Sequence, residues 1–206
     1  MDVLKDIPTK AIYDATDFKI TVKSAKDSWM YLDIFTPEYS FGYNACNIVN
    51  PLNDLFRDSI LIITKKPVKN SIDYWYGCTI AEHQLENNEN VLWMFNLVND
   101  VLYLYIWKNK DVEVLEDLYY CGFDSEKYYI NSKQTAPDMN EGLLLAIEVP
   151  PTVFAEILIQ TYLQMEKDFD NDDREEWGFD YSKNYMSLLS YFVKINSDAS
   201  VNLIAV

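Results

Sequence analysis

The chain holds a single imidazole, His83, within "TIAEHQLE" at residues 79–86. Glu82 adjoins it and the thiol of Cys78 lies five residues back. A base, a carboxylate and a thiol are the parts of a nucleophilic relay. In a strand, however, an odd separation sends Cys78 and His83 to opposite faces. There is no second imidazole and no HExxH, so a histidine-built metal centre lacks its ligands. His83 is therefore expected at the surface, near a hairpin end. GxSxG, GxGxxG and the P-loop signature are absent. Five glycines in 206 residues leave little supply for phosphate-cradling loops. The 33 Asp and Glu residues ensure that some carboxylate pair sits close by chance, so pairing alone identifies no acid–base couple.

The densest chemistry is "DFDNDDREEWGFD", residues 168–180, with seven carboxylates against Arg174. Asp168, Asp170 and Asp172 fit positions one, three and five of a calcium loop. Position six requires glycine and is Asp173; position twelve requires a bidentate Glu and is Phe179. Without the turn residue and the closing ligand, neither calcium nor any other metal or cofactor is expected. A solvated loop between two helices is the plain reading, since runs of like charge are usually just solvated. A partner surface is the other. The acid continues an imbalance built over the preceding hundred residues, and Trp177 and Phe179 are embedded in it. Steering charge beside aromatic anchors is how an interface is made. The partner-binding candidates are Asp168, Asp170, Asp172, Asp173, Glu175, Glu176, Trp177 and Phe179.

Elements of two kinds must position these residues. "DFKITVK" sets Phe18, Ile20 and Val22 on one face, and "SWMYLDIF" follows after a short turn, which predicts a hairpin. "NPLNDLFRDS" predicts a short helix capped by Asn50, and "SILIIT" an apolar strand after it. "SIDYWYGCTIAEH" predicts a strand, and "VLWMFNLV" and "VLYLYIWK" a hairpin across Asn99-Asp100. "KYYIN" and "GLLLAIEV" add strands. The aromatic segments "IDYWYG" and "LWMFN" are expected in the core. Then the period changes. Phe154, Ile157, Leu158, Thr161, Tyr162 and Met165 recur at helical spacing behind Pro150 and Pro151. Tyr181, Tyr185, Leu188, Leu189 and Phe192 do so again. The expected fold is α+β, a largely antiparallel sheet from the first ~150 residues with two C-terminal helices packed on it. No linker or composition shift divides residues 1–206, which predicts one domain.

The net charge is -16, and it is not evenly spread. Residues 1–69 carry nine basic and nine acidic side chains; residues 70–206 carry eight and twenty-four. A field of this sign repels nucleic acid and anionic membrane and attracts basic partners. No apolar run reaches the length of a membrane helix, and "MDVLKDIPTK" has no signal-peptide pattern. Cys46, Cys78 and Cys121 are scattered, with no CxxC, which reads as reduced, buried thiols in a cytoplasmic protein.

In size, acidity, aromatic richness and absent catalytic signatures the chain resembles the immunity proteins of bacterial toxin systems. The resemblance is one of character and carries no residue across. It implies a bacterial, non-enzymatic protein that binds and blocks a basic toxin domain such as a nuclease. A nucleic-acid mimic that occupies a DNA-binding protein is the first alternative. A carboxylate- and metal-dependent enzyme is the second.

Overall fold

The computed structural model describes residues 7–26, 29–46, 51–64, 78–85, 89–108, 141–169 and 181–204. Its strands are β1 (Lys10–Ala11), β2 (Lys19–Lys26), β3 (Trp29–Phe35), β4 (Ser40–Cys46), β5 (Cys78–Gln84), β6 (Asn90–Val98), β7 (Val101–Lys108) and β8 (Leu143–Val149). Its helices are α1 (Pro51–Thr64), α2 (Pro151–Asp168) and α3 (Ser182–Ile204). The fold is α+β, with two C-terminal helices, as the change of period implies. One sheet has the order β2-β3-β4 and the other β1-β8-β7-β6-β5. Among the described residues every strand pairing is antiparallel except β1 with β8.

The β6–β7 hairpin turns on Asn99 and Asp100, both at positive φ, 50° and 65°. That is what a two-residue turn of the I′ type requires, and Asn and Asp tolerate it. The hairpin is buried on both faces. Val91, Trp93, Phe95, Leu102, Leu104 and Ile106 join the main core. Leu92, Met94, Tyr105 and Trp107 are buried on the other face, where Tyr105 and Trp107 stack at 5.5 Å. A strand covered on both sides reads as a continuous apolar run, as "VLWMF" does. "IDYWYG" and "KYYIN" lie outside the described residues.

One expected strand is a helix. "SILIIT" completes α1, which runs to Thr64. Leu52, Leu55, Phe56, Ser59, Ile62 and Ile63 are buried at steps of three and four, so one helical face continues through the apolar run. Nothing after Asp58 breaks a helix, and a short apolar run has no period of its own that separates strand from buried helix.

The two C-terminal helices bury the faces their spacing predicts. Phe154, Ile157, Leu158, Thr161, Tyr162 and Met165 of α2 are buried, as are Tyr181, Tyr185 and Leu188; Leu189 and Phe192 pack against the core from its margin. The three helices meet at an aromatic cluster. Tyr162 stacks on Tyr185 at 4.0 Å, and Phe56 approaches both at 6.2 and 6.5 Å.

Helix α2 also closes one edge of the small sheet. Thr161 Oγ1 donates to the Ile20 carbonyl at 2.8 Å. Gln164 accepts from the Val22 N–H at 3.3 Å and donates to its carbonyl at 3.5 Å. A strand edge whose peptide groups are met by helix side chains cannot recruit another strand.

Candidate functional site

Of the partner-binding candidates, Asp168 alone falls among the described residues. It is the exposed last residue of α2, and Gln164 Nε2 donates to its carboxylate at 2.5 Å. A carboxylate at a helix C-terminus meets the negative end of the dipole. The Gln164 bond and the cation of Lys167 beside it offset that cost. Asp170, Asp172, Asp173, Glu175, Glu176, Trp177 and Phe179 lie outside the described residues.

His83 is not at the surface; it is fully buried. The reason is its face of β5. It pairs with Val91 of β6, on the side that carries Trp93 and the main core. Trp93 Nε1 donates to the Tyr43 hydroxyl at 2.7 Å, and that hydroxyl lies 2.7 Å from His83 Nδ1. An indole N–H can only donate, so the Tyr43 oxygen accepts from Trp93 and shares its second hydrogen bond with Nδ1 of the neutral imidazole. Burial pushes the His83 pKa down to about 3, against the opposing pull of the Pro51 backbone. Burial likewise raises that of Tyr43, more than the Trp93 hydrogen bond lowers it. The three rings form a hydrogen-bonded network inside the core, and among the described residues His83 Nε2 meets no hydrogen-bond partner. Cys46 is free and half-buried rather than buried. Among the described residues no group of three or more His, Cys, Asp and Glu side chains is placed to hold a metal ion.

A cleft lies beside this network, where the two sheets part. Among the described residues one backbone bridge joins them, Ala45 opposite Leu85. Beside β4 the Leu85 N–H donates to the Glu89 carbonyl at 2.9 Å. The slot between the two sheets has a volume of about 290 Å³. Phe41, Gly42, Tyr43 and Asn44 form one wall; Leu85, Glu89, Val91, Lys108 and Leu144 form the other. Lys108 Nζ pairs with Glu89 at 3.0 Å. The Tyr39 hydroxyl donates to the Leu144 carbonyl, tying the sheets together at the far end.

The direction of the β4 peptide groups follows from the ladder. Val22 turns its N–H and C=O outward to Gln164, so its partner Leu32 points toward β4 and bonds with Tyr43. Alternation then aims the N–H and C=O of Gly42 away from β3, into the slot. Nothing in the acidic pattern signals this cleft. Its one trace is "SFGYNAC", where Phe41, Tyr43 and Ala45 alternate with small or polar residues.

No protein-family model, no curated protein and no solved structure matches this chain. Among the described residues no helix is long and apolar enough to cross a membrane.

Proposed function

We propose that this protein binds and neutralises a basic protein partner in the bacterial cytoplasm, in the manner of the toxin immunity proteins it resembles. The observation that carries the reading is the charge: the whole excess of sixteen acids falls within residues 70–206. Such a field speeds the arrival of a basic partner, and an inhibitor must arrive before its target acts. The lone histidine supports a binding role, because it serves the core as a neutral hydrogen-bonded ring rather than as a solvent-facing base.

The test begins with the product of the adjacent gene. Co-expression should restore the growth that this product arrests, and the purified pair should associate faster at low salt than at high salt. Replacing Asp170, Asp172, Asp173 and Glu175 with Asn or Gln should slow association and flatten its salt dependence, leaving dissociation nearly unchanged. Trp177→Ala should do the opposite, speeding dissociation about thirtyfold, the equivalent of ~2 kcal/mol for a lost anchor. Wild-type association by the quadruple variant at low salt would make the stretch a solvated loop. Inhibition of many unrelated DNA-binding proteins would favour the nucleic-acid mimic instead.

A further inference from the structure

We draw no further inference here: the strongest candidate, the slot between β4 and the five-stranded sheet, is lined by apolar walls and by Glu89 and Lys108 paired with each other, and nothing in the structure shows what covers it.

Discussion

A chain ending at residue 180 will not unfold cooperatively. Helix α3 supplies Tyr185 to the ring cluster with Phe56 and Tyr162, and Tyr181 and Leu188 are as fully enclosed. Asn184 Nδ2 also donates to Asn53 Oδ1 of α1 at 3.0 Å. Each large apolar side chain gains about 1.5–3 kcal/mol from burial. Losing three of them, the margin of Leu189, Tyr191, Phe192 and Ile195, and the cover they give to α1 and α2 costs on the order of 10 kcal/mol, comparable to a whole domain's stability. The expected product melts broadly and binds a hydrophobic dye, as a collapsed state without fixed packing does. Tyr185→Ala in the full chain should keep a sharp transition but lose about 3 kcal/mol, since Tyr162 and Phe56 are left beside a cavity. A truncated protein that melts sharply at the temperature of the whole would show α3 to be an appendage.

The second large effect is a dependence of stability on pH that originates in the core. His83 has its pKa at about 3 in the folded protein and 6.5 in the unfolded chain. Above pH 6.5 neither state binds the proton, and the full stability is present. Between 6.5 and 3 the unfolded chain takes it up and the folded one does not, so stability falls as pH falls. The slope approaches about 1.4 kcal/mol per pH unit. Below about 3 both states are protonated and this contribution is flat. His83→Asn retains an acceptor for the Tyr43 hydroxyl and cannot titrate, so its urea midpoint should fall less steeply from pH 6 to 4 than that of the wild type. His83→Ala should be destabilised at every pH, because it orphans a buried hydroxyl at a cost of about 1–3 kcal/mol. Identical slopes for wild type and His83→Asn would return the histidine to water.

Patterns one face deep were legible in the sequence. The alternation of Ile20 and Val22, the Asn99-Asp100 turn and the spacing from Phe154 to Met165 each follow from one period meeting one buried surface. What depends on two surfaces was not. "SILIIT" reads equally as a buried strand or as the last turns of a helix, and only the partners of Ile62 and Ile63 decide. Likewise "AEHQ" carries no sign that its histidine faces Tyr43 and Trp93, which lie 40 and 50 residues from their partners in sequence. β4 is faint in the sequence because Gly42 and Asn44 weaken its strand character. Gly42 is there because the Tyr31 ring occupies the space a side chain would need. The slot was illegible for the same reason as His83: its walls come from β4, β6, β7 and β8, brought together by folding alone.

The pairing of β1 with β8 joins Lys10 to Ile147, and α2 is needed to close the edge of β2. During synthesis the N-terminal hairpin therefore leaves the ribosome well before the elements that cover it. At about 5–20 residues per second the wait is roughly 7–30 s. Throughout it, Ile20, Val22, Met30, Leu32 and Ile34 line a strand pair with no inner cover, and an unguarded edge invites neighbouring nascent chains. Until α2 and β8 have been translated, the β2–β3 hairpin is thus the part of this fold most exposed to wrong pairing.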